Sequence, residues 1–249
     1  MSEKVIADSL AQLQKRSSSK WRFYPSDILP LPVAEMDFPI ADPIKVALHD
    51  LVERSDTGYL GPIPELKENF AGFANRKWNW NLDPEQVRIA CDVGVGVIEV
   101  LRTFMSVGDK LMINTPVYNN FFTWINELKL TKVEVPLKRE GMHFTLDMAG
   151  IEAVYKSGVK AHLLCNPHNP VGTVYTKLEL MQIAELADKY KVIVISDEIH
   201  APLTFSDSTF TPFLAASDIS KKVGITVTSA SKAFNLAGLK CATIVAQDP

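Results

Sequence analysis

Lys232 has more chemistry available to it than any other residue of this sequence. It stands in Thr228-Ser229-Ala230-Ser231-Lys232-Ala233-Phe234-Asn235-Leu236-Ala237-Gly238-Leu239-Lys240, just after an apolar run and among small and apolar neighbours. Most lysines are simply solvated. One desolvated in an apolar pocket gives up its proton more readily and becomes a nucleophile toward carbonyl carbon. Ser229, Ala230 and Ser231 leave room for an adduct, and the Ser229 hydroxyl can serve a phosphate. A second place is Ser196-Asp197-Glu198-Ile199-His200, directly after Val192-Ile193-Val194-Ile195. A carboxylate ending a buried strand is expensive to keep ionised alone, so Asp197 implies a metal, an arginine or a protonated heterocycle as partner. Asp197 and His200 are the only local pair of ligand type, and the five histidines form no His-x-x-x-His cluster, so a metal site is not expected. Glu198 reads as solvated or ion-paired. His200 reads either as a site residue or as a satisfied histidine of the wall.

Two more places complete the set. In Cys165-Asn166-Pro167-His168-Asn169-Pro170-Val171-Gly172, prolines on both sides of Asn169 restrict the backbone and hold one amide at a strand end. That amide can donate to a ligand oxygen, or make an Asx-type bond in a stiff turn. Asp92-Val93-Gly94-Val95-Gly96 lies between a strand and a helix, where backbone N–H groups could cradle a phosphate. A dinucleotide fingerprint would need glycine at 99, which is Glu99, and two glycines also suit a plain turn. Together the four places ask for a ligand with an aldehyde, a basic ring nitrogen, a ring oxygen and a phosphate. Pyridoxal 5′-phosphate (PLP) carries all four. Its ring wants an aromatic partner, for which Tyr118 in Thr115-Pro116-Val117-Tyr118 is the candidate, with core packing as the other reading.

These residues follow short apolar runs at 87–91, 110–114, 132–135, 160–165, 192–196, 224–228 and 241–246. Helical patterns lie between the runs, among them Val97, Val100, Leu101 and Phe104, and Leu180, Ile183, Ala184 and Ala187 behind a capping box at Thr176 and Glu179. Strands apolar on both faces and separated by helices predict an α/β protein: a mostly parallel seven-stranded sheet with helices on both faces. Ligands of such sheets bind outside the carboxyl ends of the strands, where the four places fall. Residues 1–41 read as an N-terminal arm and a proline-rich extended segment, and 42–249 as the cofactor-binding body. Asp42 is expected as N-cap and Pro43 as first residue of a helix whose apolar stripe is Ile44, Ala47, Leu48 and Leu51.

The remaining composition narrows the classes. A length of 249 residues allows one large domain or two small ones. The net charge of −3 argues against a nucleic-acid binder. No apolar stretch reaches the length of a membrane span, and the N-terminus lacks a signal-peptide core. The three cysteines, each in or beside an apolar run, are expected as buried thiols of a reducing, cytoplasmic compartment.

Asn166-Pro167-His168-Asn169-Pro170-Val171-Gly172, Ser196-Asp197-Glu198-Ile199-His200 and the segment from Ser229 to Lys240 resemble fold-type I PLP enzymes of the aminotransferase class I/II superfamily. More narrowly, the sequence is similar to the MalY/PatB-type carbon–sulfur β-lyases, the cystathionine β-lyases. Further matches are Val33-Ala34-Glu35-Met36-Asp37-Phe38-Pro39, Gly58-Tyr59 with Pro64-Glu65-Leu66, and Pro116-Val117-Tyr118. The resemblance implies that Lys232 forms the Schiff base with PLP and then moves the substrate's α-proton. Asp197 would hold the pyridine nitrogen protonated. Asn169, with His200 beside it, would donate to the ring's phenolic oxygen, and Tyr118 would stack on the ring. Ser229, Lys240 and backbone groups of Val93, Gly94 and Val95 would bind the phosphate, although residues 92–96 depart from the family's pattern. Tyr59 would reach the phosphate of a neighbouring subunit, making the active unit a homodimer.

The implied reaction is β-elimination from L-cystathionine or a related L-cysteine S-conjugate, giving a thiol, pyruvate and ammonia. Met36-Asp37-Phe38, His168 and Glu198-Ile199-His200 favour the lyase; the alternatives are an aminotransferase of the same family or a PLP-binding fragment without turnover. The last apolar run ends near residue 246, which in the resembled family completes the large-domain sheet. The expectation is therefore a large domain whose small C-terminal domain, with its arginine for the substrate carboxylate, is missing.

Overall fold

The computed structural model describes residues 6–247, which form two units. The smaller comprises the described residues up to Gly61 together with Ala230–Leu239; the larger runs over Pro62–Ser229 and resumes at Lys240.

In the smaller unit, prolines at 25, 30, 32 and 39 deny the chain the donors of a ladder, so its carbonyls must find side chains. Two short helices supply them: α1 (Leu10–Leu13) and α2 (Ser19–Arg22). Arg16, just past α1, donates to the carbonyls of Met36 at 3.0 Å and Phe38 at 3.3 Å and pairs with Asp8 at 2.7 Å. Lys20 of α2, buried, donates to the Glu35 carbonyl at 3.1 Å and pairs with Asp37 at 2.8 Å. The third helix, α3 (Asp42–Glu53), starts one residue earlier than expected, with Ala41 at its N-cap. Asp42 sits inside the first turn, where its carboxylate pairs with Lys45 at 2.8 Å instead of capping the backbone. No residue of α3 is buried.

The larger unit contains every strand. All seven apolar runs form strands of one sheet: β1 (Val87–Ala90), β2 (Lys110–Thr115), β3 (Thr131–Pro136), β6 (Ala161–Cys165), β7 (Ile193–Asp197), β8 (Gly224–Thr228) and β9 (Ala242–Ala246). A small hairpin of β4 (Lys138–Glu140) and β5 (His143–Thr145) stands apart, and its short charged strands gave no periodic signal. The sheet order is β1-β9-β8-β7-β6-β2-β3. The pairs among β2, β3, β6, β7 and β8 are parallel, and β9 runs antiparallel to both β1 and β8. The start of β9 therefore lies at the same edge as the carboxyl ends of β1, β2, β6, β7 and β8.

Alternation of side chains along these strands feeds two cores, one on each face. Leu111, Ile113, Leu163, Ile195 and Val227 pack with α5 (Val93–Phe104) and α6 (Asn120–Glu127) through Val97, Leu101, Phe121 and Ile125. Met112, Leu164, Val194 and Val245 face the other way. They meet α4 (Pro64–Trp78), α7 (Met148–Lys156), α8 (Lys177–Tyr190) and α9 (Phe213–Ala216) through Ala74, Ile151, Ile183 and Phe213. The expected capping box opens α8: Thr176 Oγ1 accepts from the Glu179 N–H at 3.2 Å, and Glu179 Oε2 accepts from the Thr176 N–H at 2.7 Å. The last helix, α10 (Asp218–Val223), leads into β8.

Candidate functional site

The carboxyl edge of the larger sheet carries several of the polar groups singled out above, among them Asp197, Tyr118, Asn169 and Ser229. At the end of β7, Asp197 is 4% exposed and accepts the Ile199 N–H at 3.1 Å. Its ladder partner on β6 is Cys165. Burial pushes the Cys165 thiol up, and the negative charge of Asp197 adds to the effect, so this sulfur stays protonated and unreactive. Tyr118, beyond β2, is half-buried, and its phenol is raised first by burial and then by the charge of Asp197. The phenol accepts from Asn120 Nδ2 at 2.8 Å, and the ring meets Trp124 edge-on at 6.2 Å.

Asn169 reaches this edge through a loop braced by His168. His168 Nε2 lies 2.8 Å from the Pro116 carbonyl, which can only accept, so Nε2 carries the proton. Nδ1 then accepts from the Tyr175 hydroxyl at 2.8 Å. Burial lowers the His168 pKa and keeps the ring neutral, as this arrangement requires. The brace joins the loop carrying Asn169 to the loop carrying Tyr118, and the Asn169 N–H rests on Cys165 Sγ at 3.3 Å. Only the type of residue, a histidine between two Asn-Pro pairs, hinted at this in the sequence. The bonds Thr115-Pro116, Asn166-Pro167 and Asn169-Pro170 are cis.

At the β1, β8 and β9 side, Ser229 is buried and its hydroxyl donates to the Cys241 carbonyl at 2.6 Å. Lys240 Nζ meets Asp92 Oδ2 at 3.0 Å. Asp92 Oδ1 caps α5 by accepting the Val95 N–H at 2.8 Å, and these contacts hold its carboxyl below the usual range, the Val95 bond foremost. The first turn of α5 thus offers Val93, Gly94 and Val95, but Val95 is already engaged by Asp92. Both glycines there answer to packing. A Cβ on Gly94 would come within 3.0 Å of the Trp124 ring, and one on Gly96 within 3.0 Å of Val227 Cγ1. Nothing in the sequence signalled that Asp92 would face Lys240, because the contact spans 148 residues and depends on β9 running antiparallel.

Two expectations need correction. Glu198 is neither solvated nor ion-paired: it is 1% exposed, accepting from the Phe213 N–H at 2.7 Å and the Ser196 hydroxyl at 2.9 Å. Burial pushes its carboxyl up to about 8. Cys91 and Cys241 are exposed, and only Cys165 is a buried thiol. His200 is half-buried just beyond β7. Lys232 and Tyr59 belong to the smaller unit, Lys232 three residues after Ser229 in the chain and Tyr59 fully exposed.

Known proteins are similar to this chain in sequence and architecture. The model of the family described as aminotransferase class I and II matches residues 26–249. A relative from Mycobacterium leprae is 41% identical over 248 residues, covering 96% of this chain and 60% of its own length. The cystathionine beta-lyase of Corynebacterium glutamicum is 35% identical over 238 residues, covering 94% of this chain and 62% of its own. Cystalysin from Treponema denticola, whose crystal structure contains a pyridoxal 5′-phosphate cofactor, superposes with a TM-score of 0.92 at 28% identity. That match covers 100% of this chain and 64% of cystalysin. The chain spans about 60% of the length of the curated relatives it matches.

Proposed function

Because this chain belongs to the aminotransferase class I and II family, we propose that it serves a PLP-dependent carbon–sulfur β-lyase. The substrate class is L-cystathionine and related L-cysteine S-conjugates, and the products are a thiol, pyruvate and ammonia. The observation that carries this reading is the buried Asp197 carboxylate at the end of β7, paired in the ladder with Cys165, in a chain 35% identical to a cystathionine beta-lyase.

The donor set suits the cofactor. A buried carboxylate is matched to a protonated ring nitrogen, a neutral phenol ring to a stacking face, and a braced amide to a ring oxygen. Asp197 would keep the ring nitrogen protonated, Tyr118 would cover one ring face, and Asn169 would donate to the ring oxygen with His200 beside it. Ser229, Lys240 and the first-turn N–H groups of Val93, Gly94 and Val95 would take the phosphate, with the Asp92 carboxylate turning away from Val95. Bound there, PLP supplies an electron sink for the bonding pair released when the substrate's α-proton departs. Lys232 would hold the cofactor through its carbonyl carbon and then carry the α-proton on its amine. His168 acts on none of these atoms; it sets the Asn169 loop against the Tyr118 loop.

The same reading makes 1–41 an arm, 42–249 the cofactor-binding body, and the protein a cytoplasmic homodimer in which the exposed Tyr59 reaches the neighbouring subunit's phosphate. Among the described residues no helix is long and apolar enough to cross a membrane.

Incubation with L-cystathionine and PLP, without an oxo-acid acceptor, tests the reaction. Pyruvate and a free thiol are expected. Amino transfer that requires an added oxo acid, with no pyruvate, would replace the lyase by the aminotransferase. The cofactor is tested separately by the visible absorbance of bound PLP, which Lys232→Ala should abolish.

A further inference from the structure

The ladder joining β1 to β9 ends at the pair Ala90↔Ala242. One step on in the same register stand Cys91 and Cys241, and one step further Asp92 and Lys240, whose side chains meet at 3.0 Å. Asp92 keeps an extended backbone, with φ −159° and ψ 172°. Lys240 turns through a left-handed φ of 55°, and its ion pair with Asp92 still holds the two chains together there, so the cysteines are bracketed by a ladder pair on one side and an ion pair on the other. Directly opposed residues of an antiparallel pair share a face, with Cβ atoms roughly 4.5–5.5 Å apart, a separation that small side-chain and backbone shifts close to that of a disulfide. The thiol of Cys241 is pushed up by partial burial and then by the charge of Cys91. Both residues are exposed, whereas Cys165 is buried.

We propose that Cys91 and Cys241 form a reversible dithiol–disulfide pair, a modification site for low-molecular-weight disulfides. The thiolate of one cysteine attacks a sulfur of the reagent, breaking its S–S bond, forming a mixed disulfide and releasing one thiol. The thiolate of the other cysteine attacks the protein sulfur of that mixed disulfide, forming the Cys91–Cys241 bond and releasing the second thiol. Two electrons pass from the cysteine pair to the reagent, and the two cysteine protons end on the released thiols. The site lies wholly within the larger unit and does not depend on the cofactor reading. It joins the two backbones that carry Asp92 and Lys240, so oxidation covalently locks the place where those side chains meet.

The test is to treat the protein with oxidised glutathione, quench with acid, and map the disulfides by mass spectrometry of its peptides. The expected product is a Cys91–Cys241 cross-link without retained glutathione, reversed by dithiothreitol, with Cys165 still a thiol. Cys91→Ser and Cys241→Ser should each stop at a stable glutathione adduct on the remaining partner. Glutathione retained on Cys91 or Cys241 of the unsubstituted protein without a cross-link would overturn the proposal. So would the absence of any reaction, or cross-links that run only to Cys165 or between chains.

Discussion

Asn235 and Met36, 199 residues apart in the chain, form a reciprocal amide pair: Asn235 Oδ1 accepts the Met36 N–H and Asn235 Nδ2 donates to the Met36 carbonyl, both at 3.1 Å. Within the smaller unit this ties the segment bearing Lys232 to the segment held by Arg16 and Lys20. Asn235 does so from a left-handed backbone, φ 57°, which asparagine tolerates better than most residues.

Asn235→Ala therefore loses two hydrogen bonds and places a β-carbon in left-handed backbone, a combined loss of about 2–3 kcal/mol. Asn235→Gly keeps the backbone freedom and loses about 1–2 kcal/mol. Amide hydrogen exchange at Met36 is the direct measurement: it should accelerate in both variants and stay slow in Asn235→Asp, which keeps the accepting oxygen.

Lys240 and Asp92 should separate stability from binding. Their pair is 64% and 36% exposed, so Lys240→Ala should change stability by only about 0.2–1 kcal/mol. Its affinity for PLP should fall tenfold or more, because a phosphate then loses its cationic partner. Asp92→Asn acts in the opposite sense, removing a negative charge from the first turn of α5, and should bind phosphate more tightly. Thermal unfolding alongside PLP and inorganic phosphate titrations distinguishes the two effects.

Glu198 should shape the pH dependence of stability. Its pKa is raised from the model-peptide value of 4.5 to about 8, so the folded state holds the extra proton and stability falls as pH rises between those values. His162 acts oppositely: burial lowers it from 6.5 to about 3, so stability rises with pH across that interval. The two slopes cancel between about 4.5 and 6.5, and only the Glu198 slope remains from 6.5 to about 8. Thermal midpoints at pH 6.5 and 8 should differ in the unsubstituted protein and converge in Glu198→Gln.

The buried chain Tyr155–His162–Asn114 yields a fourth prediction. Tyr155 donates to His162 Nδ1 at 2.8 Å, and His162 Nε2 donates to Asn114 Oδ1 at 2.7 Å. His162→Leu strands two buried partners and should lose about 2–5 kcal/mol, while Tyr155→Phe strands one and should lose about 1–3 kcal/mol. The double variant should lose less than the sum of the two in denaturant titrations, because each removal spares the other an unsatisfied group.

Much of this architecture was legible in the sequence for a simple reason. A strand buried on both faces is a continuous apolar run, and all seven runs became strands of one sheet with their polar residues at its carboxyl edge. The Thr176–Glu179 box was legible because a capping signal is local. Glu198 was misread because charge favours a solvated reading, whereas an apolar face and two donors, the Phe213 N–H and the Ser196 hydroxyl, hold it inside. Asp42 was misread by one residue because Lys45 competes for its carboxylate.

By itself, the sequence determined the strands and which polar residues follow them in the chain: Asp197 after a buried run, Asn169 between prolines, Lys232 among small residues. Each rests on periodicity or on near neighbours, which a linear string records. Only the tertiary structure decided that β9 runs against β1 and β8. That reversal brings Lys240 onto Asp92 and Ala242 opposite Ala90, across about 150 residues of chain. Strand direction is set by packing of the whole sheet, and no local pattern encodes it.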